Sequence, residues 1–255
     1  MNKAGSNFID MKRGNVHALL HKDKSDTIAA TLFECEKCSP LNAVGRGAMM
    51  QFPWQDGRTG VLRVCRRGGL LGHFLKEGFL LSNRPFMEFC VHQEVLVRGV
   101  HAPVLLGARW ERRGLFYYGA LATELLPGCD LNAWLKTNVN NETRMEAILM
   151  DCGECIRQMH DRGVCHADLQ LKNILVADAG IFLLDFDRAQ VHDNISPLAR
   201  ARNLLRLRRS FEKLGYSPKL WLCLLDGYGD VTFPFWLNMA YRVKAWFSKK
   251  KGHPS

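Results

Sequence analysis

The spacing of apolar positions changes partway along the chain. From Pro40 onward, short apolar runs alternate with polar residues and are punctuated by glycine. Val44-Gly45-Arg46-Gly47 reads as a turn, and Thr59 to Val64 alternates as a strand after the Asp56-Gly57 turn signal. Residues 84–99 switch to helical spacing, with Phe86, Phe89, Cys90, Leu96 and Val97 on one side, a stop at Gly99 and Pro103 blocking continuation. Strands are expected over Val104 to Arg109 and Phe116 to Leu126. Residues 1–42 are polar and weakly patterned, apart from a strand-like run from Thr27 to Phe33.

After the Pro127-Gly128 turn the periodicity is mostly helical. A long helix is expected from Glu142 to Arg162, capped by Asn141 and stopped at Gly163. A polar loop to Asn173 then leads into two apolar runs, Ile174-Leu175-Val176 and Ile181 to Leu184, joined by a turn and ending in Asp185: a short hairpin. From Pro197 the chain reads as helices. The pattern predicts an α+β chain of two lobes, a small antiparallel β-rich N-lobe over 43–126 and a mainly helical C-lobe over 127–255. The segment 1–42 precedes them as a source of further strands.

With 47% hydrophobic and 24% charged residues, 255 residues suffice for a real core. Lys and Arg outnumber Asp and Glu by 35 to 25, a net charge of +10 that favours an anionic partner: nucleic acid, a phospholipid surface or a phosphorylated substrate. No run approaches the ~18–20 apolar residues that span a bilayer. The polar opening Met1 to Ser6 lacks the apolar core of a secretory signal, so the nine cysteines are read as reduced cytoplasmic thiols.

The most specific signal is His166-Ala167-Asp168-Leu169-Gln170-Leu171-Lys172-Asn173, followed twelve residues after the Asn by Asp185-Phe186-Asp187. The spacing matches H-x-D-x-x-x-x-N and a DFG-like element of kinases. Phosphoryl transfer needs a carboxylate to orient the attacking hydroxyl and divalent metal to neutralise phosphate charge. Asp168 suits the first task as catalytic base, Asn173 and Asp185 the second as ligands to Mg2+. An Asp or Asn alone in a loop more often caps nearby backbone; the joint spacing is what argues for chemistry.

Given that loop, the β-rich lobe is read as the nucleotide-binding one, with Mg-ATP between the lobes. Gly45 and Gly47 would form the glycine-rich loop over the phosphates. Arg63 stands in the strand Val61 to Val64 where a phosphate-anchoring Lys is usual, with Glu88 as its helical partner and Glu94 as the alternative. Thr123 to Gly128 joins the lobes, and its backbone, at Glu124 and Leu126, is the place for the adenine edge.

From about Gly45 to Lys213 these residues resemble the lipopolysaccharide core sugar kinases, nearest to those acting on 3-deoxy-D-manno-octulosonic acid (Kdo), with heptose kinases as relatives. The marks are Gly45-Arg46-Gly47, Val61 to Arg67 with Gly68-Gly69-Leu70, Gly114 to Tyr117, Thr123-Glu124, Pro127-Gly128, His166 to Leu169, Leu184 to Ala189, and Asn203-Leu204 to Arg209-Ser210. The resemblance implies transfer of the ATP γ-phosphate to a hydroxyl of Kdo on lipid A, in lipopolysaccharide inner-core synthesis. It implies a peripheral protein at the cytoplasmic face of a Gram-negative inner membrane, with Kdo-lipid A and an anionic membrane surface as partners. Heptose or, as in RIO-like kinases, a protein is the alternative acceptor, and a nucleotide- or lipid-binding pseudokinase scaffold is the alternative of another class.

Ala167 replaces the Arg that reads a phosphorylated activation loop, and about ten residues separate Asp187 from the next helix, leaving little room for a peptide platform. Lys172 is assigned to neutralising the γ-phosphate. Arg200 to Arg209 carries five arginines without interleaved aromatics, which argues against nucleic acid and for a substrate-phosphate or membrane-facing surface. Trp236 to Phe247, before Lys249-Lys250-Lys251, reads either as an interfacial amphipathic helix or as a terminal helix docked on the C-lobe. Cys35/Cys38 with Cys152/Cys155 has the spacing of a four-thiolate zinc site, but Cys152 lies on an apolar helical stripe and is better explained as core.

Overall fold

In the computed structural model the described residues are 7–34, 39–41, 49–55, 57–65, 79–237, 239 and 241. The chain divides into two compact units: Met1–Leu96 with Pro103–Leu126, and Val97–Ala102 with Pro127–Ser255.

The first unit contains, in order, β1 (Phe8–Arg13), β2 (Val16–His21), α1 (Ser25–Phe33), β3 (Ser39–Leu41), β4 (Met49–Gln55), β5 (Arg58–Val64), β6 (Phe79–Leu80), α2 (Arg84–Val97), β7 (Leu105–Arg113) and β8 (Phe116–Glu124). Its antiparallel sheet runs β1-β2-β7-β8-β5-β4-β3, with β6 on the free end of β8. Alternation along the strands gives the sheet two apolar faces. Ala18, Leu20, Leu62, Leu106 and Ala122 point to one face and are covered by Ile28, Ala29 and Leu32 of α1. Leu19, Leu105, Ala108 and Leu121 point to the other and are covered by Phe89, with Phe86, Cys90 and Leu96, all of α2.

Thr27 to Phe33 is therefore helix, not strand. Its β-branched residues favour a strand locally, but Ile28 and Leu32 are one helical turn apart and both are fully buried on the sheet. The Thr31 hydroxyl is absorbed by donating to the Thr27 carbonyl at 3.2 Å. The Arg109 guanidinium, 2.9 Å from the Leu32 carbonyl, satisfies an orphan acceptor at the helix end. Val97, expected on the buried side of its helix, is exposed.

The second unit contains β9 (Gly128–Asp130), α3 (Leu131–Thr137), α4 (Glu142–Asp161), β10 (Val164–Cys165), β11 (Ile174–Ala177), β12 (Gly180–Leu183), β13 (Gln190–Val191), α5 (Pro197–Lys213) and α6 (Pro218–Tyr228). Side-chain oxygens of Asp130, Asn141, Ser196 and Ser217 cap the four helices. Helices α4 and α6 cross at two glycines. A Cβ on Gly153 would lie 2.0 Å from the Leu224 carbonyl oxygen, and one on Gly227 would lie 2.0 Å from that of Met150. Nothing larger fits. Around this crossing the α4 side chains Leu149, Cys152, Ile156 and Met159 are buried.

Leu237 and Tyr241 pack on α5, joining Ala201 and Leu205 in an apolar cluster. Phe235, Trp236 and Met239 are exposed. No helix among the described residues is long and apolar enough to cross a membrane.

Candidate active site

The loop between β10 and β11 is held by its own side chains and by α5. His166 is fully buried: its Nδ1 accepts from the Asp168 amide at 3.1 Å, so its Nε2 carries the proton and donates to the Leu184 carbonyl at 2.8 Å. The Leu184 amide in turn donates to the Asn173 carbonyl at 2.9 Å. Leu184 thus spends both backbone groups on the loop, which pins the residue after it, Asp185, beside Asn173. Burial holds the His166 imidazole below its ordinary pKa, matching the neutral tautomer these bonds require.

Asp168 projects from this frame and is partly exposed. One carboxylate oxygen accepts from the Gln170 carboxamide, and Lys172 Nζ lies 3.8 Å from the other. Asn173 is buried and donates through Nδ2 to the Asp168 carbonyl at 2.8 Å, which leaves its amide oxygen as the atom able to face a cation. Asp185 sits at φ 65°, a left-handed conformation that costs a non-glycine residue energy and recurs where function demands it, and its Oδ1 is buried. A buried carboxylate oxygen and an amide oxygen are donors of the kind a hard divalent cation such as Mg2+ takes. Phe186 is buried against the His166 ring at 5.1 Å, and β13 pairs with β10 in a two-stranded ribbon that brings the chain back beside the start of the loop.

A second layer escaped sequence reading. Asn203 of α5 donates to the His166 carbonyl at 2.6 Å and accepts from Nε2 of His160 at 3.0 Å; His160 Nδ1 accepts from the Tyr228 hydroxyl at 2.9 Å. All three side chains are buried. Burial pushes His160 down to about 4, so it is neutral at pH 7. In the sequence Asn203 is one of the marks of the resemblance, but its tie to His160 and Tyr228 leaves no signal there.

In the first unit, Arg63 of β5 pairs with Glu88 of α2, whose carboxylate is only 5% exposed and also accepts from the Cys65 thiol at 3.6 Å. The expected clamp is formed with Glu88; Glu94 is exposed on the same helix. At the end of β8 the Glu124 amide is spent on Val104 and the Leu125 amide on Thr59, both at 2.9 Å, and Leu126 follows as a half-buried residue. Gly45 and Gly47 lie outside the described residues, as do Arg66 to Leu70, Cys35, Cys38 and Lys249 to Lys251. Cys152 and Cys155 are buried thiols of α4, the second pushed up to about 12 by burial. Among the described residues no group of three or more His, Cys, Asp or Glu converges as a metal cage; Asn173 with Asp185 is a different donor set.

Residues 41–228 match the model of the lipopolysaccharide kinase (Kdo/WaaP) family. A 3-deoxy-D-manno-octulosonic acid kinase of Vibrio cholerae is 33% identical over 202 residues, covering 77% of this chain and 83% of its own. One of Vibrio parahaemolyticus is 35% identical over 71% of this chain and 78% of its own. A solved structure described as WaaP in complex with acyl carrier protein superposes with a TM-score of 0.54, at 19% identity, over 86% of this chain and 90% of that one. That likeness is one of fold, and the fold is protein-kinase-like. A family match over well over half of the sequence, and relatives aligned over most of their own length, establish that the chain belongs to the lipopolysaccharide kinase (Kdo/WaaP) family.

Proposed function

We propose that this kinase transfers the γ-phosphate of ATP to a hydroxyl of a Kdo residue carried on lipid A. The observation that carries the reading is the Asp168 carboxylate, presented by a loop whose buried histidine and Leu184 also fix Asn173 and Asp185. Asp168 orients the acceptor hydroxyl and takes its proton as the new P–O bond forms and the bond from the γ-phosphorus to the β-phosphate oxygen breaks, releasing ADP. Because the transferred phosphoryl is loosely bonded in such transition states, placement matters more than base strength. Gln170 and Lys172 hold the two carboxylate oxygens in place, and Lys172 also offers positive charge to the incoming phosphoryl group. Asn173 and Asp185 are the residues that would hold Mg2+, which supplies charge neutralisation on the nucleotide phosphates.

The Arg63–Glu88 pair is the anchor for the α- and β-phosphates, with the Glu124 to Leu126 backbone at the adenine; Gly45 and Gly47 are assigned to the phosphate loop by sequence alone. The naming of relatives as Kdo kinases supports the acceptor assignment, and lipid A as its carrier makes the cytoplasmic face of a Gram-negative inner membrane the place of action. The exposed Phe235, Trp236 and Met239 support a peripheral hold on an anionic bilayer.

The test is transfer from γ-labelled ATP to purified Kdo-lipid A by the wild type and by Asp168→Asn in magnesium. Transfer that falls by about 10³-fold or more in the variant is expected. Wild-type transfer to heptose-bearing but not to Kdo-terminated acceptor would overturn the assignment.

A further inference from the structure

Helix α5 carries Arg202, Arg206, Arg209 and Lys213 at i, i+4, i+7 and i+11, one stripe along one face. Like charges at these spacings repel, and a helix normally interleaves carboxylates to relieve them. Here, among the described residues, no carboxylate forms an ion pair with any of the four; Arg208, off the stripe, pairs with Glu212 at 3.0 Å. Aromatic rings steady two of the guanidinium groups without neutralising them: Trp236 lies 5.9 Å from that of Arg202 and Tyr241 5.7 Å from that of Arg209.

The four cations border a cavity of about 400 Å³ whose wall includes Gln170, the residue that donates to Asp168. Next to Gln170, the Leu171 amide donates to Ser210 of α5 at 3.2 Å, so the stripe and the loop are tied together at that point. On their other flank, Arg202 and Arg206 border a second cavity of about 300 Å³ lined by His166, Ala167 and Asn203. The small Ala167 side chain keeps that flank open.

The geometry points to the α5 cavity as the seat of an oxyanion of the acceptor, the carboxylate of a sugar acid or a phosphate of its lipid, with Arg206 and Arg209 as its main ligands. Guanidinium forks match both groups, and a cavity with space for several water molecules admits either. An acid group held there lies beside Gln170, two residues along the loop from Asp168, which brings a hydroxyl of the same sugar to the carboxylate. The exposed Phe235, Trp236 and Met239 lie in the segment that packs on α5 and offer apolar surface to an attached lipid. This assignment rests on the reading of Asp168 as the base of an acceptor kinase.

Binding of Kdo-lipid A in detergent micelles, measured directly on the Asp168→Asn protein with and without Arg206→Gln/Arg209→Gln, tests the cavity without turnover. We expect the double substitution to weaken binding at least tenfold, and to raise acceptor KM correspondingly in the active background, while Arg206→Lys retains part of the affinity. Acceptors with the carboxylate amidated or the phosphates removed identify the oxyanion: the double substitution ceases to matter on the one that lacks it. Unchanged acceptor affinity in the double variant overturns the assignment, and if the wild type still transfers phosphate, only the cavity assignment falls. If the wild type transfers none, the binding comparison still decides the cavity. Melting curves check the fold, and Arg206→Gln alone, at an exposed side chain, serves if the double variant is unstable.

Discussion

Asn203 holds the carbonyl of His166 at 2.6 Å while accepting from His160, so one carboxamide couples α4, α5 and the loop that presents Asp168. Asn203→Leu keeps the volume but orphans a buried carbonyl and a buried N–H. The expected cost is about 2 kcal/mol of stability, read by urea denaturation, with kcat falling more than KM for ATP. A variant with wild-type kcat would show that the loop does not depend on this brace.

Acidification should destabilise the fold through its buried histidines. His92, which bonds the Pro103 carbonyl at 2.8 Å, and His160 are both held neutral, at about 4 against about 6.5 when unfolded. The unfolded chain therefore binds more protons below pH 6.5, and stability declines as pH falls from 6.5 towards 4. At pH 5 the loss is about 2 kcal/mol for each histidine. Denaturation midpoints at pH 7.5 and pH 5 check this; equal midpoints would contradict it.

Removing Arg63 leaves the Glu88 carboxylate buried without its guanidinium. Arg63→Met should cost about 3 kcal/mol, and Arg63→Met/Glu88→Gln should recover much of that stability without restoring nucleotide affinity. Calorimetry on the pair, alongside KM for ATP, separates the structural contribution from the phosphate-anchoring one. Arg63→Lys should retain more affinity than Arg63→Met.

At the α4–α6 crossing, Gly153→Ala places a methyl group where a carbonyl oxygen already lies. Overpacking of this kind costs about 1–3 kcal/mol, so a melting temperature lowered by several degrees is expected, with KM for ATP little changed.

What the sequence disclosed depended on how far apart the cooperating residues lie. Asp168, Asn173 and Asp185 sit within eighteen positions, so their spacing alone was enough to propose a site. Arg63 and Glu88 were legible because a strand and the next helix have standard places for them. His160, Asn203 and Tyr228 come from three helices, and their connection is invisible until the helices pack, although Asn203 was among the marks of the resemblance. The helix at Ser25–Phe33 was hidden for a related reason: its β-branched residues favour strand, and only the sheet beneath it rewards the four-residue repeat. The arginines of α5 were visible as a basic run, but not the face they share.

That shared helix limits how the enzyme can diversify. Asn203 and Ser210, which brace the catalytic loop, are set on the same rigid rod as Arg202, Arg206 and Arg209. Inserting one residue after Asn203 would swing everything downstream by about 100°, carrying Arg206 and Arg209 away from the loop and Ser210 from its partner. A change in the charge of this face must therefore come by exchanging side chains along α5, because its length and register are already committed to the loop.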